Sequence, residues 1–372
     1  MPHVNILRQN QRGATMIMVA VAMVVLLGFA VLAIDLSLLQ LSKTQLQNAA
    51  DAAALAGAIQ FGISDGDQAA AATEAIRLAA LNRAIQTTQQ PVVIGAGDVS
   101  FPEPSKVRVS THRTRATGDP LRIYFMRVLS STDDNLSDMS ASATAELTPV
   151  GGTDCLKPWV FPDRWDDTNG DSLWQPGEYY DPNTTGYRVP DDVGRTITVK
   201  YSSGGSTPKM GWYQPIRFGA VNRGGPDCTG ADCYRTYISE CEPYTVYLGD
   251  TLQFESGNMV GPTRQGWEEL VAKDPTARFN ASTGTIENSA YAVSPRMIKL
   301  ALYDPTVSVI TSGASGAEKN IVVAKFAYLF IEAPPESGSN VAVTARFLRY
   351  ASSGMSCASC PEGFLFTARL VE

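Results

Sequence analysis

The stretch Ala14-Thr-Met-Ile-Met-Val-Ala-Val-Ala-Met-Val-Val-Leu-Leu-Gly-Phe-Ala-Val-Leu-Ala-Ile34 runs for 21 residues without a charge. As a helix it spans about 31 Å, the thickness of a bilayer's hydrocarbon core. A buried helix of a water-soluble domain rarely keeps more than ~14 uninterrupted apolar residues, so the run reads as a transmembrane helix. A cleaved secretory signal has an apolar core of about 7–15 residues followed by a small-x-small site. This run is longer and no such site follows closely before Asp35, so the helix is expected to be retained. Arg8 and Arg12 precede the span and Asp35 follows it. The positive-inside rule then leaves a cytoplasmic stub at 1–13, a membrane helix at 14–34 and an exported remainder.

Outward from the span, helical periodicity continues. Leu36, Leu39, Lys43, Leu46, Ala50, Ala53 and Gly57 fall at alternating three- and four-residue steps, a seam that becomes small-residued toward its end. Such a seam can pack on the chain's own body or on a neighbouring anchored helix. Gly62-Ile63-Ser64-Asp65-Gly66 breaks it, and Asp67 opens a second helix expected to reach about Ile85. Strands are expected at 107–110 and 139–147, with a short helix at 121–129 between them. Residues 151–190 are dense in Gly, Pro and Asp and mark a boundary or ordered loop. Beyond them strands are expected at 196–201, 244–248, 296–303, 320–331 and 341–350, with one helix at 263–273.

Composition fits a globular exported body: 372 residues, 44% apolar, formal net charge -7. With 37 acidic against 30 basic residues and no basic stripe, nucleic acid is excluded as a partner class. The two histidines are His3, in the stub, and His112, in a polar stretch and read as a solvated bystander. The sequence lacks G-x-S-x-G, G-x-x-x-x-G-K-[ST] and H-E-x-x-H. An enzyme is therefore not expected.

One segment carries metal-binding chemistry. Asp167-Thr-Asn169-Gly-Asp171-Ser-Leu173-Trp-Gln175-Pro-Gly-Glu178 puts oxygen donors at positions 1, 3, 5, 9 and 12 of a twelve-residue loop. Those are the EF-hand ligand positions, with the Leu173 carbonyl at position 7. Ser172 stands at position 6, where the sharp turn favours Gly. Structural calcium is the expected cofactor, and the alternative is an Asx-rich turn bonding its own backbone. The six cysteines (Cys155, Cys228, Cys233, Cys241, Cys357, Cys360) all lie in the exported part and read as disulfides. Six allow 15 pairings; a short loop such as Cys228–Cys233 is the expected kind. Cys357-Ala-Ser-Cys360 formally matches C-x-x-C but lacks the strand–helix context of a redox motif.

The string Arg12-Gly13-Ala14, the apolar span, Ala33-Ile34-Asp35-Leu36 and Gln45-Leu-Gln-Asn-Ala-Ala-Asp-Ala-Ala-Ala-Leu-Ala-Gly-Ala58 resembles the N-terminus of TadG-like proteins of the bacterial tight-adherence (Flp) pilus system. Weaker similarity touches Ala141–Glu146, Gly257–Thr263 and Phe326–Glu332. The resemblance implies an inner-membrane protein with a periplasmic or extracellular domain, acting in pilus biogenesis, adhesion or biofilm formation. Two features depart from it. No D-x-S-x-S motif of a von Willebrand A domain is present, and the fifth residue after Gly13 is Met18 rather than the Glu of the system's cleaved pseudopilins. The fold expected is α+β: a transmembrane helix continuing into a long pilin-like helix over a small sheet (35–150), then a mainly β domain (151–372). The function expected is a non-catalytic assembly or interaction component meeting other Tad pilus or inner-membrane components through its N-terminal helix, in the lipid bilayer. A calcium-stabilised surface adhesin and a membrane-anchored periplasmic enzyme are the alternatives.

Overall fold

The computed structural model describes residues 12–85, 89–124, 136–189, 191–201, 208–218, 229–241, 244–255, 259–306, 310–312, 318–332, 342–351, 355–357 and 363–371. The fold is α+β, with a long apolar N-terminal helix and a mainly β C-terminal region. Two compact units divide the chain. One comprises Met1–Ala58, Gln68–Ala145 and Leu370–Glu372; the other comprises Ile59–Asp67 and Glu146–Arg369.

Helix α1, Arg12–Ile63, is unbroken over 52 residues, about 78 Å. Its first part buries nothing: Leu27 is 63% exposed and Phe29 64%. Burial begins at Asp35, which is 4% exposed and accepts a hydrogen bond from the Tyr124 N–H at 2.8 Å. From Leu46 onward the seam packs on the chain's own first unit, through Leu46, Ala49, Ala50, Ala53, Ala54 and Ala58. A Cβ on Gly57 would stand 3.2 Å from the Ala75 Cβ and 3.3 Å from the Val107 Cγ1. Small residues here let the backbones approach closely. Nearer the exposed apolar stretch the periodicity misassigns the face: Leu36 and Lys43 are exposed while Asp35 and Ser42 are buried. The turn captures Asp35 through the Tyr124 amide, and the Ser42 hydroxyl donates to the Ile85 carbonyl.

Helix α2, Gln68–Leu81, buries Ala71, Ala75 and Ala79. It stops short of the expected Ile85 because Arg83–Ile85 pairs antiparallel with Gln89–Pro91, and the Ile85 N–H donates to Gln45 Oε1 at 2.8 Å. Val99–Glu103 and Lys106–Arg113 form a hairpin, and Lys106–Arg113 borders Met139–Thr153. The helix expected at 121–129 does not begin: Leu121–Arg122 is a strand paired with Leu136–Ser137, and residues 125–129 lie outside the described part. Buried Leu121 gains a sheet partner, which an isolated turn of helix would not supply.

In the second unit six strands close into a ring. In order these are Leu156–Pro162, Met297–Tyr303, Glu318–Ile331, Ala342–Phe347, Thr196–Tyr201 and Trp212–Arg217, the last pairing back to the first. Thr251–Phe254 bridges Trp212–Arg217 to Glu318–Ile331. Every residue of Leu156–Pro162 is buried, so part of the stretch expected as a loop boundary is a core strand. Two helices cover it. One is α3, Ala231–Ser239, absent from the expectation; the other is α4, Val260–Lys273. Its apolar residues Cys233, Tyr234, Tyr237 and Ile238 do recur at helical spacing, but over barely two turns. The segment is helical because Cys233, Tyr234 and Ile238 bury one face. Trp267 of α4 stacks on Trp159 with centroids 4.6 Å apart.

Candidate metal centre

The twelve-residue loop hangs from a buried charge cluster. Asp163 and Lys325 are both essentially inaccessible and paired at 3.0 Å. Asp163 also accepts from the Tyr187 N–H at 2.7 Å and the Tyr180 O–H at 3.0 Å, while Lys325 donates to the Pro182 and Tyr187 carbonyls. These bonds satisfy an ion pair whose desolvation would otherwise destabilise the core, and they fix the chain where it leaves and re-enters the barrel. Between these anchors an antiparallel bridge joins Asp166 to Tyr179, closing a loop from Asp167 to Glu178.

Inside the loop the backbone donates inward. Asp167 accepts from the Gly170 and Ser172 N–H groups, each at 2.8 Å. Asn169 accepts from the Asp171 N–H at 3.0 Å, Asp171 from the Leu173 N–H at 2.8 Å, and Glu178 Oε2 from the Gln175 N–H at 2.9 Å. The Gln175 amide donates to Asp171 Oδ2. Ser172 takes φ 62°, the left-handed conformation that the sixth position demands, without being Gly. A second strand-like contact, Leu173 with Lys209, holds the far side of the loop.

The six residues singled out by spacing thus lie on one closed turn. Carboxylate oxygens of Asp167, Asp171 and Glu178 come within 4.8 Å of one another. Glu178 Oε1 is buried and has no hydrogen-bond partner among the described residues. A carboxylate oxygen has two lone pairs, so those accepting one N–H still have a free direction for a cation. The arrangement can hold a hard cation by oxygen alone. An Asx turn does not exclude cation ligation, because the turn bonds occupy one direction at an oxygen and leave the other free.

Elsewhere the expected chemistry is thin. His112 Nδ1 stands 3.5 Å from Asp98 Oδ1. Cys155 and Cys241 form a disulfide across 86 residues, and Cys233 and Cys357 are disulfide-bonded as well. Cys228 and Cys360 lie outside the described residues, and with them the expected Cys228–Cys233 loop and the C-x-x-C motif. Sequence reasoning missed Lys157, which is 5% exposed on the strand Leu156–Pro162 and whose amine is held down to about 7 by burial and by the neighbouring Lys273 ammonium. An isolated Lys in an apolar strand gives no signal of that environment.

Residues 13–60 match the model of the Tad family, described as Flp pilus-assembly TadE/G-like. No curated protein matches the chain, and no solved structure does.

Proposed function

From the TadE/G-like segment at residues 13–60, we propose that this chain is a single-pass inner-membrane component of the Flp pilus machinery, with its N-terminus cytoplasmic and its larger part exported. The exported part serves as a non-catalytic assembly or interaction module. The observation that carries this reading is the continuity of α1: one helix passes from an exposed apolar stretch directly into the packed seam of the first unit. Any movement or lateral contact of the membrane segment is thereby coupled to the exported fold. Deletion of the gene should abolish or shorten Flp pili seen by electron microscopy, and a form lacking residues 1–35 should fail to restore them. Full rescue by that soluble form would overturn the proposal. Normal pili with lost surface attachment would support the adhesin alternative instead.

We also infer a structural calcium ion in the loop 167–178, held by Asp167, Asn169, Asp171, the Leu173 carbonyl, Gln175 (through a water) and Glu178. The buried, unpartnered Glu178 Oε1 favours it, since burying an unsatisfied carboxylate oxygen costs free energy that a cation would offset. Isolated exported calcium modules bind at about 10⁻⁴–10⁻³ M. Ten times that concentration stabilises the folded state by about 1.4 kcal/mol. Millimolar calcium should therefore raise the melting temperature of the full chain relative to a chelator, and Asp167→Ala with Glu178→Gln should remove the rise. An unchanged melting curve would leave the loop as an Asx turn.

A further inference from the structure

The second unit contains a cleft of about 580 Å³, none of whose lining residues belongs to the loop 167–178. Its size lies within the range of about 300–1,000 Å³ typical of ligand sites. Exposed Val293 and half-buried Met297 and Tyr350 supply apolar wall, backed by buried Leu270 of α4 and Ile298 of the barrel, and Tyr350 stacks on Tyr328 with centroids 4.5 Å apart. Lys157, Lys273 and Lys299 also line it.

The donors and charges do not balance. Lys299 is matched by Asp154 at 3.0 Å and also donates to Thr153 Oγ1. Lys273 donates to the Ser239 carbonyl at 2.6 Å and to Glu240 Oε1 at 2.7 Å. Lys157 is buried, and among the described residues its acceptor is the Glu240 carbonyl alone. An ammonium has three N–H donors. When Lys157 carries its proton, below about pH 7, the two cations Lys157 and Lys273 have one carboxylate beside them, Glu240, which Lys273 takes and whose side chain is 62% exposed. Capping the end of α3 explains one bond from each lysine. It leaves the remaining Lys157 donors, and one positive charge, at the wall of an open cleft.

We propose that this cleft binds a carboxylate carried by an apolar peptide segment, with Lys157 and Lys273 receiving the carboxylate and Val293, Met297 and Tyr350 receiving the neighbouring side chain. One net positive charge calls for one anionic group, and a charge-assisted bond from a buried ammonium is strong. The apolar wall requires that the anion come attached to a hydrophobic body, as an Asp or Glu beside Leu or Phe does. Binding is linked to proton uptake. Lys157 faces Lys273 on α4 and Glu240 at the end of α3, within a cleft that Lys299, Tyr328 and Tyr350 also line. Burial and Lys273 leave Lys157 largely neutral above about pH 7. A carboxylate favours its ammonium form, so affinity falls as pH rises past that value.

The test uses the full chain in lipid nanodiscs and a fluorescein-labelled peptide, Phe-Leu-Asp-Leu-amide, followed by anisotropy. Saturable binding is expected, about tenfold weaker for the Asp→Asn peptide, a loss of one charged contact. The preference for Asp should shrink between about pH 6 and about pH 9, following the Lys157 titration. Lys273→Gln should weaken the Asp peptide severalfold while the variant stays folded by circular dichroism, and Lys299→Gln should leave affinity unchanged. Lys157→Met should remove the pH dependence; if that variant does not fold, Lys273→Gln and the wild-type pH profile decide. Equal binding of Asp and Asn peptides at about pH 6, wild-type affinity in Lys273→Gln, or no peptide binding at millimolar protein would each overturn the proposal.

Discussion

Lys157 makes a prediction that needs no ligand. Its amine is held to about 7 in the fold, first by desolvation and then by Lys273, against about 10.4 in the unfolded chain. Between these values the unfolded chain binds more protons, so stability rises with pH. The contribution is fully present above about pH 10 and is lost as pH falls through about 7; its size is a few kcal/mol, by about 1.4 kcal/mol per unit. Denaturation of the full chain followed by tryptophan fluorescence should become more resistant from about pH 7 to about pH 9, and Lys157→Met should flatten that slope. A slope unchanged in the variant would place the titration elsewhere. Residue spacing alone brought Asp167, Asp171 and Glu178 to notice because a twelve-residue loop closes on itself, so residues spaced along it converge in space. The same spacing could not reveal that Ser172 would accept φ 62°, or that Glu178 Oε1 would be buried without a partner.

At the scale of elements, α1 joins two environments in one helix. Its exposed apolar half matches a bilayer, whereas its second half depends on residues small enough for α2 and the hairpin to approach. Gly57→Leu should therefore lower the stability of the first unit by about 1–3 kcal/mol, the usual range for overpacking, read as an earlier unfolding transition by circular dichroism. The exposed Leu36→Ala should shift it little, since its side chain is 55% exposed. Elements with long periodic patterns were legible: α1, most of α2, and the strands Met297–Tyr303 and Glu318–Ile331. Short ones were not. Leu121–Arg122 has too few residues for a period to register, the helical spacing of Ala231–Ser239 runs for barely two turns, and each is stabilised by burial or pairing against the rest of the chain.

Across the whole molecule, the second unit is held by long-range closure. Cys155–Cys241 ties the start of one ring strand to the end of α3 across 86 residues. Replacing both cysteines with serine should cost about 2–5 kcal/mol, the usual loss for a long-loop disulfide, measured as a lower melting temperature of the full chain. No change would mean that the ring and its helices fix this contact without the bond. The parallel pairing of Thr196–Tyr201 with Trp212–Arg217 completes the ring, and the Asp163–Lys325 pair fixes the loop that carries the candidate metal ligands.

Composition, periodicity and spacing alone determined the long apolar helix, its continuation past Asp35, the mainly β character of the C-terminal part and the closeness of Asp167, Asp171 and Glu178. Each is a local property, written in consecutive residues as hydrophobicity, period or spacing. Only the tertiary structure decided that the seam from Leu46 onward packs inside its own unit, that six strands close on themselves, and that Lys157, Lys273 and Lys299 meet at one cleft. Those outcomes join residues far apart in sequence through burial and strand pairing, whose free energy depends on what arrives from elsewhere in the chain.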